Sequence, residues 1–392
     1  MQNIIKISTK LKTLNKKLYI VWGFCRNKIL WVDNIWGDID LVTDATPDEM
    51  MKVLNIVGEV GKKYWTCIVS EWLETFEITT FRKDIWTINN RKPASVVFTD
   101  SLEEDSKRRD LTCNAIYFDV ENEVFIDPVW WIEDIKNNVI KFVWNVEERI
   151  EEDALRILRF VRFKNKYWFS LSTEGFSPLY ILKSKSYLLK NISVERIRQE
   201  LDKILLLKNN IEGLQDLKNI DFFKHIIPEI EKFNFLNNID NTIFDTLKKQ
   251  DKLIIYYTIL FNKNICSEVF QKNISTRLKF TNIQKKEIYW LIKNNAKLFV
   301  IPKMEVLKAR KLMNNPLFEK LLIIWEINSI DKNSVKYKKI NEIKNIYSEF
   351  KKIIKTKIFL TGEDIMRKYP ELEWRKIWEK LEMLNDEIMV KD

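Results

Sequence analysis

Trp36-Gly37-Asp38-Ile39-Asp40-Leu41-Val42 is the stretch whose reading decides the fold. Isoleucine, leucine and valine around two acids predict a β-strand. A strand projects residues two apart from one face, so Asp38 and Asp40 converge. Two convergent carboxylates form a hard-cation site. Mg²⁺ prefers one or two carboxylates completed by substrate phosphates, which points to chemistry on a nucleoside triphosphate. An isolated Asp-x-Asp is more often a solvated strand or turn, so the surrounding sequence must carry the argument.

Outward from this stretch, residues 1 to 145 alternate short β-like runs with helical segments. The runs are Leu18 to Val21, Ile39 to Val42, Cys67 to Val69, Phe76 to Thr80, Val96 to Phe98, Ala115 to Asp119 and Val124 to Ile126. They predict an α/β or α+β domain. From about Val146 onward the pattern is helical. Glu147 to Lys166 carries Ile150, Ala154, Ile157, Leu158 and Val161 on one side, acids at its start and bases at its end, and predicts one amphipathic helix. Within it Asp153 and Arg156 fall three apart on one face. Ser193 predicts a helix cap.

Composition narrows the function classes. The first twenty residues carry lysines rather than an apolar signal core, and no apolar stretch of about 18 residues is free of charge, so a cytoplasmic chain is expected. Cys25, Cys67, Cys113 and Cys266 show neither pairing nor metal-ligand spacing, and His225 is the single histidine, which leaves a zinc or histidine-metal centre almost no ligands. The net charge of +10 is uneven: residues 251–392 hold 29 Lys/Arg against 18 Asp/Glu, a net +11. A polyanion is expected there, although a genome rich in A and T inflates lysine in the same way.

Five motifs follow in order. The first is Ile20-Val21-Trp22-Gly23-Phe24-Cys25-Arg26-Asn27 with the acidic pair behind it. The second is Phe76-Glu77-Ile78-Thr79-Thr80-Phe81-Arg82, and the third Arg108-Arg109-Asp110-Leu111-Thr112-Cys113-Asn114. The fourth is Asp127-Pro128-Val129-Trp130-Trp131 and the fifth Glu152-Asp153-Ala154-Leu155-Arg156-Ile157-Leu158-Arg159. In this order they strongly resemble the class II tRNA nucleotidyltransferase and poly(A) polymerase family, the CCA-adding enzymes.

The resemblance implies an α+β fold, with a nucleotidyltransferase-type head at 1–145 built on a small mixed or antiparallel sheet, a helical neck at 146–205, a helical body at 206–300 and a helical tail at 301–392. It implies transfer of CMP and AMP from CTP and ATP to the 3′ end of tRNA by a two-metal Mg²⁺ mechanism. Asp38 and Asp40 match its metal ligands and Glu77 its third acid. Gly23, Arg26, Arg109, Asp110 and Asn114 match residues that receive the triphosphate and ribose. Asp153 and Arg156 match a protein template that imitates a Watson–Crick edge, with Glu152 orienting the arginine and Arg159 beside it. Asn27 stands where an aspartate is usual. The segment from Arg82 to about Pro93 matches a flexible loop whose full length favours addition of the terminal A. The rival readings are a poly(A) polymerase of the same class and, from a different class, a non-catalytic RNA-binding homologue.

One departure is systematic. Glycine is 7 of 392 residues while tryptophan is 14; that is about 2% glycine against a usual 7% or so. About twelve tryptophans stand where the family has glycine, among them Trp22, Trp31, Trp36, Trp65, Trp72, Trp86, Trp130, Trp131, Trp144 and Trp168, with Trp374 and Trp378 near the end. Trp290 and Trp325 do not align in this way. An indole blocks both positive φ and close approach. One cause for all twelve is a UGA codon written as tryptophan but read as glycine.

Overall fold

The structure, a computed structural model, describes residues 1–32, 39–60, 66–88, 92–128, 130–172, 177–231, 241–262, 265–327, 329, 334–357 and 359–390. It divides into two compact units, Met1–Glu231 and Lys232–Asp392.

The first unit opens with α1 (Gln2–Lys12), β1 (Leu18–Val21), α2 (Gly23–Ile29) and β2 (Asp40–Thr43). Next comes α3 (Pro47–Val53), entered through a capping box in which Thr46 and Glu49 satisfy each other's backbone amides and Pro47 supplies a preset φ. There follow β3 (Ile56–Val60), β4 (Thr66–Glu71), β5 (Glu74–Thr80), β6 (Arg82–Ile88), β7 (Lys92–Phe98), α4 (Leu102–Lys107), β8 (Tyr117–Asp119) and β9 (Val124–Ile126). Seven strands form one sheet in the order β3-β4-β5-β2-β1-β8-β9, antiparallel except for the β2–β5 pair. This is the mixed sheet of an α+β head. On one face of it Tyr19 stacks on Phe81 at 5.6 Å and Tyr117 meets both rings edge-on, with Val21 and Val42 completing the cluster.

Strands β6 and β7 pair with each other from Arg82↔Phe98 to Ile88↔Lys92. The segment after Arg82, expected as a loop, is therefore a hairpin arm. Thr87, Val96, Val97 and Phe98 are strand formers whose pairing partner lies within the segment itself.

Helices α5 (Ile132–Lys136), α6 (Val146–Glu152), α7 (Arg156–Tyr167), α8 (Pro178–Lys185), α9 (Val194–Leu205), α10 (Asn210–Asn219) and α11 (Phe222–Ile226) complete the unit. The single helix expected over 147–166 is two. Asp153 sits between them in an extended conformation, φ −147° and ψ 101°, and its carboxylate accepts the amide of Leu155 at 3.1 Å. A short acidic side chain bonding backbone two residues on starts a new helix rather than continuing the old one. Asp153 and Arg156 therefore do not share a helix face. Helix α7 buries Ile157, Leu158, Phe160, Val161 and Phe163. Ser193 does occupy the position before α9, but its side chain makes no capping bond.

The second unit is helical, with principal helices Lys249–Asn262, Asn282–Asn294, Val306–Met313, Phe318–Ile327, Val335–Thr356, Gly362–Lys368 and Trp374–Val390. Its core includes Tyr257, Phe261, Phe270 and Phe280 packed ring to ring. Among the described residues no helix is long and apolar enough to cross a membrane.

Candidate active site

A cavity of about 1020 Å³ opens in the first unit between the sheet and α7. On the sheet side, Asp40 pairs with Val21 across β1 and Glu77 pairs with Ile68 across β4. Leu41 pairs in parallel with Ile78, so the acids that precede them are neighbours on adjacent strands. Leu41 and Ile78 are buried below, and strand alternation turns Asp40 and Glu77 to the opposite face. Both line the cavity. Asp38, the other expected ligand, lies outside the described residues. Among the described residues no cluster of three metal-binding groups occurs; the Asp40 and Glu77 carboxylates are the hard oxygen donors that Mg²⁺ takes, one or two per ion, with substrate phosphates supplying the rest.

Facing the acids, Arg159, Arg162 and Lys166 follow one face of α7, and Lys203 of α9 joins them. Only Arg159 is legible as a site residue in the motif. Arg162 and Lys166 recur at i+3 and i+7 from it, a helical spacing that would have found them, whereas Lys203 on α9 has no such signal. Glu200 holds this wall in place: it accepts from Arg162 at 2.6 Å and from Lys203 at 3.0 Å. Burial pushes the Glu200 carboxyl up, but Arg162 outweighs it and leaves the group below its ordinary value. Gly23 and Arg26 of α2 also line the cavity.

Behind the wall lies a buried polar network. Arg26 donates to Asn114 Oδ1 and, at 2.7 Å, to Tyr167 Oη, and its guanidinium stacks on the rings of Phe163 and Tyr167. The Tyr167 hydroxyl donates to Asn27 Oδ1 at 3.0 Å. Asn27 thus serves a neutral partner where the family's aspartate would bring a charge. Asp110 accepts from Arg159 at 2.6 Å and from Asn114 at 3.1 Å. Arg109 donates to Asp105 at 2.8 Å and to Tyr117 at 2.9 Å. Desolvation opposes the Asp105 and Asp110 charges, yet Arg108 and Arg109 beside the one and Arg159 beside the other hold both carboxyls well below the usual range. Burial raises the Cys25 thiol and pushes Cys113 up to about 12, so neither is a nucleophile at neutral pH.

A lowered carboxyl stabilises the fold above its unfolded pKa, near 3.9, and that contribution is lost as pH falls toward the folded value. Urea unfolding between pH 5 and 2 is therefore expected to show stability falling steeply below about pH 4. The decline becomes shallower in Asp105→Asn; an unchanged slope counts against the charged form of Asp105.

Arg109, Asp110 and Asn114 do not line the cavity. The Trp22 indole stands before them, 5.9 Å from the Arg109 guanidinium and 5.2 Å from that of Arg159. Glu152, Asp153 and Arg156 form a further cluster at the α6–α7 junction. Arg156 donates to Glu152 at 2.6 Å and to the carbonyls of Arg149 and Arg108 at 2.9 and 2.7 Å. Asp153 accepts from Arg196 at 2.8 Å.

Residues 18–141 match the family model described as the Poly A polymerase head domain, and residues 180–234 that of the probable RNA and SrmB-binding site of polymerase A. A CCA-adding enzyme of Ligilactobacillus salivarius is 30% identical over 389 residues, covering 98% of this chain and 91% of the relative. The chain belongs to the class II CCA-adding enzyme and poly(A) polymerase family. Like the family it is a nucleotidyltransferase. The CCA-adding enzyme of Bacillus subtilis is 36% identical over 247 residues, 63% of this chain and 60% of that one. Among solved structures, the Bacillus stearothermophilus CCA-adding enzyme in complex with CTP superposes with a TM-score of 0.76 at 24% identity, covering 99% of this chain and 92% of that one. The Thermotoga maritima enzyme complexed with tRNA gives 0.69 at 20% identity, covering 99% and 90%. These likenesses extend the family fold over both units.

Proposed function

We propose that this family member adds CMP and AMP from CTP and ATP to the 3′ end of tRNA in the cytoplasm. The observation that carries the reading is the cavity with Asp40 and Glu77 on one wall and Arg159, Arg162, Lys166 and Lys203 on the other. The cationic wall attracts the triphosphate and the acidic wall faces the reacting end. The 3′-hydroxyl oxygen attacks the α-phosphorus, the bond to the β-phosphate oxygen breaks, and pyrophosphate leaves. Asp38 and Asp40 would hold Mg²⁺, with Glu77 beside Asp40. The ion would supply charge that lowers the pKa of the attacking hydroxyl and steadies the leaving group, as in two-metal sites. Asp110 keeps Arg159 aimed at the cavity.

Base choice falls to the junction of α6 and α7. Asp153 accepts from an exocyclic amine and Arg156, held by Glu152, donates to ring acceptors. Arg196 occupies Asp153 in this structure, so base entry exchanges one charge-assisted partner for another. Asp153→Ala is expected to flatten the preference for CTP and ATP over UTP and GTP, measured as kcat/KM for each; an unchanged ratio sinks the template.

Protein purified from its own cells, incubated with tRNA lacking CCA and each triphosphate in turn, tests the reaction. Incorporation of two C and one A supports it. Extension with ATP alone and without a fixed stop supports the poly(A) polymerase reading, which the head-domain match also accommodates. Binding without pyrophosphate release supports the non-catalytic one.

The basic stretch of residues 251–392 is assigned to the tRNA backbone. Because each neutralised phosphate releases counterions, affinity is expected to fall by about tenfold or more between 50 and 200 mM salt. A flat dependence measured by filter binding returns the charge to codon bias.

A further inference from the structure

Backbone angles separate the tryptophans into two kinds. Among the described residues, eleven other than glycine have φ between 50° and 64°. Asn15, Asn138 and Asp221 are of the types that tolerate this left-handed region through short polar side chains. Six of the eleven are tryptophan: Trp22, Trp31, Trp72, Trp130, Trp144 and Trp168. A bulky side chain there is an outlier, and tryptophan makes up only 14 of 392 residues.

Local geometry at two of the six is that of glycine. Trp22 has φ 62° and ψ −114°, the first central position of a type II′ turn, which glycine fills because it alone enters that region without a Cβ clash. Trp168 ends α7 at φ 57° and ψ 33°, and the next amide, Phe169 N, bonds back to Lys164 O at 2.9 Å. That is the left-handed helix stop where glycine is the usual residue. Packing offsets little of this strain at the exposed sites: Trp31 is 92% exposed, Trp130 87% and Trp72, with Lys6 Nζ 4.5 Å from its ring, 76%. Trp325 behaves differently. It lies within the helix Phe318–Ile327, donates its indole N–H to Asn295 O at 3.0 Å and meets Phe299 edge-on at 4.1 Å. This is what a tryptophan placed for its own chemistry does.

We propose that positions 22, 31, 72, 130, 144 and 168 are glycine in the protein as its own cell makes it, the UGA codon being read there as glycine, and that Trp325 is a genuine tryptophan. The backbone angles add to the glycine shortage in composition, and position 22 gives the exchange a chemical consequence. Glycine there removes the ring that stands 5.9 Å from the Arg109 guanidinium and 5.2 Å from that of Arg159, clearing space at the cavity wall in front of both.

Peptide mass spectrometry of the protein isolated from its source decides the matter, because it reads residue identity whether or not the protein transfers nucleotides. Glycine at the six positions with tryptophan at 325 is the expected result; tryptophan at 22 and 168 overturns it. A second measurement compares the thermal unfolding of the chain as written with that of a chain carrying glycine at all six positions. The glycine chain is expected to melt several degrees higher, and an equal or lower midpoint overturns the inference.

Discussion

Asp40→Ala is expected to abolish nucleotidyl transfer, lowering kcat by about a hundredfold or more, while tRNA affinity stays within about twofold. The assay uses a chain with glycine at position 22, so that the indole does not mask the effect. Asp40 begins β2 beside Val21, and its neighbour across the parallel pair is Glu77. Its carboxylate therefore projects from a strand held on both sides, and removing it leaves the sheet hydrogen bonds intact. Asp38→Ala is expected to do the same. Substantial residual transfer in both variants refutes the metal assignment, whereas equal loss of tRNA binding means that the substitution has unfolded the head.

Asp105→Ala carries the largest expected effect on stability. Asp105 has no exposed surface. It accepts from Arg108 Nε at 2.8 Å, Arg109 at 2.8 Å, Tyr117 Oη at 2.7 Å and the Arg82 amide at 3.3 Å. Truncation leaves the 4%-exposed Arg109 guanidinium without its charge partner. Breaking a buried pair by removing one side costs about 3–5 kcal/mol. For a unit of this size that lowers the melting temperature by about 10 °C or more, readable by calorimetry. Glu103→Ala, which breaks the solvent-exposed pair with Lys107, is the control and is expected to leave the melting temperature close to that of the parent. Equal effects would deny the Asp105 cluster its structural weight. Because Asp105 also meets the first residue of β6, its loss is expected to loosen the base of the hairpin arm, visible as faster amide exchange over 82–98.

The motif residues do not all meet in one place, and the reason is steric. Asp40 and Glu77 reach the cavity through strand alternation, Arg159 from the face of α7, and Gly23 and Arg26 from α2. Arg109, Asp110 and Asn114 are legible in sequence as a charged cluster, yet each is less than a tenth exposed and bonded to its neighbours. No local pattern announces that, because Asp110 and Arg159 are separated by 49 residues and meet only when α7 folds back onto the head.

The amino-acid sequence by itself determined the strands that carry Asp40 and Glu77, since alternation and β-branched content are local properties. It also determined the family, through five motifs in fixed order, and exposed the shortage of glycine. Tertiary structure alone decided that the segment after Arg82 is a hairpin, because pairing depends on a partner. It likewise broke the helix expected over 147–166 at Asp153, where a side-chain bond to the Leu155 amide competes with helical hydrogen bonds. Only the folded backbone showed which tryptophans occupy glycine's conformations, because φ at Trp22 and Trp168 is set by the turn and the helix end around them.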